Sequence, residues 1–284
     1  MCAWPLRITV AMDPELPPLA RRGEPVAIGV PLPRGRARRS TEWLLTNANG
    51  DAVPVQSTTL DRWGDGSIRW MLLEFRADVC ATGAAAYFLS AATPGSMVAP
   101  AGPLSVHHAG DVIIVETGAA EFHVPRAGGA LLARAMVHGA VAVEGASLEA
   151  EDLDGQTWSF AVRRTTVERT GPLSAVLRLD GALQNLAGEA WLDVMARLQF
   201  HAGLGSTRIE LTVTNPRPAK HPGGLWDLGD PGSVLIRDLS IRFNRAGVPT
   251  DGAAGSLDRS RPLAPAGDEF AVYQDSSGGV NWQH

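Results

Sequence analysis

Short runs of alternating apolar and polar residues, interrupted by glycine and proline, recur from one end of this chain to the other. Such a period of two places every second side chain on one face of a strand and predicts half-buried β-sheet. The pattern predicts strands over Leu6–Ala11, Pro25–Pro31, Glu42–Thr46, Val55–Arg62, Ile68–Phe75 and Ala85–Ser90. Six strands within about ninety residues suit a small closed barrel. Ala91-Ala92-Thr93-Pro94-Gly95-Ser96 then reads as a linker. A longer series follows: Leu104–His107, Val112–Glu116, Glu121–Val124, Ala140–Val143, Thr157–Val162, Thr165–Glu168, Ser174–Asp180, Ala190–Phe200, Thr207–Asn215, Ser233–Phe243 and Phe270–Gln274. It suits two packed antiparallel sheets. The expected fold class is all-β, a small β-barrel over residues 1–95 followed by an antiparallel β-sandwich over residues 96–284. Only Gly129–Val137 reads as helix. Ala190–Phe200 and Thr207–Asn215 read as a long hairpin, with Ile209, Leu211 and Val213 on its buried face.

Composition narrows the classes. With 284 residues, 45% apolar and 19% charged, the chain has material for two packed cores. A net charge of −5 argues against a nucleic-acid or anionic-membrane partner, and the run Arg34, Arg36, Arg38 and Arg39 reads as a solvated loop. Two cysteines, Cys2 and Cys80, provide no disulfide framework. No basic head with a long apolar run opens the chain, so the sequence as written reads as cytoplasmic, and as secreted or periplasmic if its start is truncated. HExxH, GxSxG and P-loop motifs are absent, which leaves metal hydrolysis, serine esterase and nucleotide chemistry without support. His201 reads as a solvated loop residue, and Trp282 near the last residue predicts further polypeptide to pack on.

Two clusters carry candidate chemistry. In Val55–Phe75, two strands flank Gly64-Asp65-Gly66 and bring together Arg62, Trp63, Arg69 and Trp70. Two registers are open. A two-residue loop sets Arg62 opposite Arg69, a clamp for a carboxylate; a three-residue loop with Gly66 left-handed sets Asp61 against Arg69 and satisfies the charges internally. Trp70 is expected in the core and Trp63 partly exposed. The second cluster, Lys220 to Asp230, follows Asn215-Pro216-Arg217-Pro218 and holds His221, Trp226, Asp227 and Asp230. Its prolines and glycines predict an ordered loop offering a titratable base, a stacking platform and two carboxylates. No resident cofactor is indicated, although the carboxylates and nearby carbonyls are a set that a divalent cation accepts.

Gly29-Val30-Pro31-Leu32-Pro33-Arg34-Gly35, Asp61 to Trp70, Asn215-Pro216-Arg217, Gly224 to Ser233 and Tyr273 to Gly279 resemble the signature blocks of the exo-rhamnogalacturonan lyase-like (YetA-like) family. The resemblance implies an N-terminal RIFT-type barrel, a central β-sandwich and a C-terminal α/α toroid, of which this chain holds the first two. It also implies β-elimination beside a uronate carboxylate, with His221 or Tyr273 as base or acid and Arg62, Arg69 or Arg217 neutralising the carboxylate. Arg62, Trp63, Arg69, Trp226, Asp227 and Asp230 would bind substrate. The implied partners are an acidic polysaccharide or oligosaccharide and a separate or downstream toroid. A non-catalytic carbohydrate-binding or scaffold protein is the alternative, and hydrolysis by Asp227 and Asp230 a weaker third reading.

Overall fold

Alternation decides the barrel. On β6 (Ile68–Val79), Met71, Leu73, Phe75, Ala77 and Val79 point into one core while their neighbours point out. The computed structural model describes residues 5–12, 18–92, 103–218 and 232–246, with two short strands, Ala254–Gly255 and Ala264–Pro265. The barrel strands are β1 (Leu6–Ala11), β2 (Arg21–Pro31), β3 (Trp43–Asn47), β4 (Ala52–Val53), β5 (Val55–Arg62), β6 and β7 (Ala84–Ala91). They form two antiparallel sheets, ordered β1-β7-β3-β4 and β2-β6-β5. Ile8, Val30, Leu45, Met71, Leu73 and Leu89 fill the space between them, and the Phe75 and Tyr87 rings meet at 4.9 Å.

The second core belongs to β8 (Ser105–Ala109), β9 (Val112–Glu116), β10 (Ala120–Pro125), β11 (Arg134–Val137), β12 (Ala140–Asp152), β13 (Thr157–Thr170), β14 (Ser174–Gln184), β15 (Ala190–His201), β16 (Thr207–Thr214) and β17 (Ile236–Arg245). Hydrogen bonds run unbroken along β16-β15-β14-β13-β12-β11-β10-β9-β8, with β17 on β12. The path doubles over itself, so that Phe122 on β10 meets Phe200 on β15 at 5.0 Å. Ile209, Leu211 and Val213 lie against this core, half-buried because β16 is a sheet edge.

The helix expected over Gly129–Val137 does not form. Leu131 and Leu132 are buried and bond to Ala146, Ala133 donates to the His123 carbonyl, and Arg134–Val137 is a strand. Among the described residues there is no helix. The two strands expected between Thr157 and Glu168 are one, β13, irregular near Val162 and Val167. The strand expected at Phe270–Gln274 lies outside the described residues.

Barrel and sandwich are joined by buried polar side chains. Glu74, only 3% exposed, accepts from Ser174 Oγ at 2.7 Å and from Arg169 Nη2 at 2.9 Å. Gln56 Oε1 accepts from the Leu173 and Ser174 amides at 3.0 and 3.1 Å. Arg76 donates to the Ala202 carbonyl at 3.1 Å. Gly171 has no room for a side chain there, because a Cβ would collide with the Gln56 amide. Glu74, Gln56 and Ser174 have been withdrawn from water, so the network stabilises the joint only while they stay paired.

His201 sits at this seam instead of in a solvated loop: it ends β15 and, with Pro25, Val26, Glu74 and Ser174, lines a small cavity. Burial holds its imidazole below the ordinary pKa, and Arg169, Arg76 and Arg208 push the same way against the Glu74 carboxylate. As pH falls the unfolded chain therefore takes up this proton first. The contribution is complete above about pH 6.5 and is lost progressively below it. Urea unfolding between about pH 7.5 and about pH 5 should lose less midpoint in His201→Gln than in wild type. Equal losses would remove His201 from the acid response.

Candidate functional site: an arginine and tryptophan hairpin on the barrel

The β5–β6 hairpin takes the three-residue loop. Trp63 N donates to Ser67 O and Gly66 N to Trp63 O, both at 2.9 Å, and Gly66 has φ +80. Glycine alone holds that conformation without strain. Asp65 fixes the loop by accepting from Ser67 N at 3.0 Å and Ser67 Oγ at 2.6 Å. Those bonds, helped by Arg34, hold its carboxyl below the usual aspartate range.

This register separates the two arginines. Arg62 lies opposite Ile68 and donates to Gly66 O at 3.0 Å, while Arg69 pairs with Asp61 at 3.1 Å. A clamp made by Arg62 facing Arg69 is therefore not formed. The pairing slips at Leu60 and again at Arg69, so that Arg69 and Trp70 form an exposed step between buried Ile68 and Met71. Trp70, expected in the core, is instead 42% exposed. Trp63 is half-buried, donates from Nε1 to the Leu32 carbonyl at 3.0 Å and lies under Arg69, whose guanidinium carbon is 5.0 Å from the ring centroid. A cation on an indole face is held there by the ring quadrupole.

The arginine-rich loop joins this tip. Gly35 N donates to Ser67 Oγ and Ile68 N to Ala37 O, each at 2.9 Å, and Arg34 reaches Asp65 at 3.4 Å. The segments 31–39 and 61–70 thus set six arginines (34, 36, 38, 39, 62 and 69) against Asp61 and Asp65 in a chain of net charge −5. Such a patch attracts anions. Its carboxylates are engaged, Asp61 by Arg69 and Asp65 by Ser67, which leaves cationic side chains at its surface.

Arg217 belongs to the sandwich. It follows β16, whose Thr207 end pairs with Phe200 beside the seam and whose Thr214 end pairs with Asp193. The length of β16, about 24 Å at 3.4 Å per residue, lies between Arg217 and the seam. Asn215 closes the neck of the loop beyond β16, accepting from Arg217 N at 3.0 Å and donating to Gly232 O at 2.7 Å. His221, Trp226, Asp227, Asp230 and Tyr273 lie outside the described residues. Among the described residues no three histidine, cysteine or carboxylate side chains are grouped to hold a metal.

Residues 17–84 match the PcRGLX-like N-terminal RIFT barrel domain, and residues 104–221 match the PcRGLX-like protein central β-sandwich domain. The chain belongs to the PcRGLX-like family. It is also similar to the "Uncharacterized protein YetA" of Bacillus subtilis (strain 168), with 26% identity over 214 residues, covering 69% of this chain and 24% of that protein. The chain thus spans about a quarter of the length of this relative. The PcRGLX-like barrel segment takes in the whole hairpin, and the sandwich segment takes in Arg217 and ends before Trp226. The sequence blocks therefore pointed to the right family and the right pair of β domains. They carried no sign that the arginine loop would dock on the hairpin, because the Ser67 contact that anchors it spans 32 residues.

Proposed function

We propose that this chain is the glycan-recognising portion of a rhamnogalacturonan lyase-related protein, and that it binds an acidic polysaccharide through the barrel hairpin. One observation supports the reading above others: a PcRGLX-like barrel carries its exposed arginines around an indole-bearing tip. Uronate-rich chains offer the matching chemistry, anionic carboxylates on rings with apolar faces. Elimination would require a base at C5 and a cation on the carboxylate, and the hairpin register turns Arg62 to Gly66 O and Arg69 to Asp61 instead of facing them across one carboxylate. That separation favours a second reading, a carbohydrate-binding or scaffold role without turnover by this chain.

Incubation with rhamnogalacturonan separates the two. Binding that weakens as salt is added, without ultraviolet absorbance from an unsaturated uronate product, is the expected result for this chain. Product formation would place complete elimination machinery within it. Failure to bind any acidic pectic glycan would sink the recognition reading.

A further inference from the structure

We propose that the outward face of the β2-β6-β5 sheet is a binding subsite on which one ring of an acidic oligosaccharide stacks against Trp70, with its carboxylate turned to Arg69 and the neighbouring arginines. The inference rests on the recognition reading above and gives it a position. Two bulges set the face: Met71, Leu73 and Phe75 turn inward, while Trp70, Leu72 and Glu74 turn outward. Glu74 is sealed by the sandwich, but four residues away, about 13 Å along the strand, Trp70 is open. Asp61 pairs opposite it on β5, and the neighbouring Leu60, left without a register partner by the bulge, is 53% exposed.

Gly29 is what lets the indole lie down. It is exposed on β2 opposite Leu72, and a Cβ there would stand 2.9 Å from Trp70 Nε1 and 3.3 Å from Cε2. The indole therefore rests across β2 on a side-chain-free patch. Folding alone gives no reason to display a tryptophan in this way, since the core beneath is closed by other residues.

Size and charge select the occupant. Three strands span about 10 Å and the open stretch of β6 about 13 Å, so the face offers on the order of 130 Å². A stable protein partner or second copy needs about 800 Å² per side, whereas a sugar ring needs no more than is present. Arg69, next to Trp70 in sequence and held on Trp63, and the docked loop carrying Arg34 and Arg36 make the rim cationic. A ring with an apolar face and an anionic substituent satisfies both features.

The test titrates the full chain with de-esterified rhamnogalacturonan oligosaccharides by calorimetry, with a neutral oligosaccharide of similar length in parallel. Trp70→Ala is expected to cut affinity for the acidic ligand at least about tenfold, and Gly29→Val to do the same by displacing the indole. Trp70→Phe should retain it to within about threefold, and the neutral ligand should bind weakly to every form. Because Trp70 is exposed, Trp70→Ala should melt with wild type, which separates lost contact from lost fold. Wild-type affinity in Trp70→Ala would overturn the subsite while leaving glycan recognition intact. Absence of acidic-ligand binding in wild type would overturn both. A concentration-dependent dimer abolished by Trp70→Ala would make the face a contact between copies and overturn the subsite.

Discussion

Glu74→Ala is expected to lower the unfolding free energy by about 3–5 kcal/mol, the cost of removing one partner from a buried ion pair. Its carboxylate is the acceptor for Arg169, Ser174 Oγ and Gln56 Nε2, and the Arg169 Nε is already buried without a partner. With the carboxylate gone, a guanidinium only 22% exposed loses its counter-charge, and the Ser174 hydroxyl loses its acceptor. Glu74→Gln keeps the shape and part of the hydrogen bonding, so its loss should be smaller. Denaturant unfolding followed by both tryptophan fluorescence and circular dichroism is the measurement. Since two separate cores meet at this network, the variant's two signals should stop coinciding. A loss below about 1 kcal/mol with coincident signals would mean that the joint does not depend on the ion pair.

The parts of the fold that follow from one-sided burial were legible in the sequence. β1, β5 and β9 have the bounds that alternation predicts, because a period of two records directly which side faces the core. Trp70 was misplaced for the same reason. Counting by twos from buried Ile68 puts Trp70 inside, but the slip at Arg69 shifts the parity by one and turns Met71 inward instead. A bulge leaves no mark in the alternation except two successive residues on one side, and an arginine followed by a tryptophan does not declare which side that is. The seam was invisible because Gln56 and Glu74 find Ser174 across 118 and 100 residues. The sole local hint was Gly171, whose missing Cβ makes room for Gln56. Arg217 carried the right residue type for a carboxylate, yet its position at the far end of β16 is fixed by pairing with β15 and not by any local signal.

Phe200→Ala should cost about 3–5 kcal/mol, the range for truncating an enclosed aromatic side chain. Phe200 is fully buried, and its ring meets Phe122 across the doubled sheet. The cavity cannot easily collapse, because β15 is hydrogen-bonded along its length to β14 on one side and β16 on the other. Lost transfer energy and an unfilled void therefore add. Leu186→Ala, at a fully exposed turn position, should stay within about 0.5 kcal/mol and serves as the control. Glycan affinity at the hairpin should be unchanged in Phe200→Ala under native conditions, since Trp70 lies about 13 Å along β6 from Glu74 on the outer face of the barrel, whose core is separate from that of Phe200. Parallel loss of stability and affinity, with the variant still folded, would show instead that strain from the sandwich crosses the Glu74 network into the barrel.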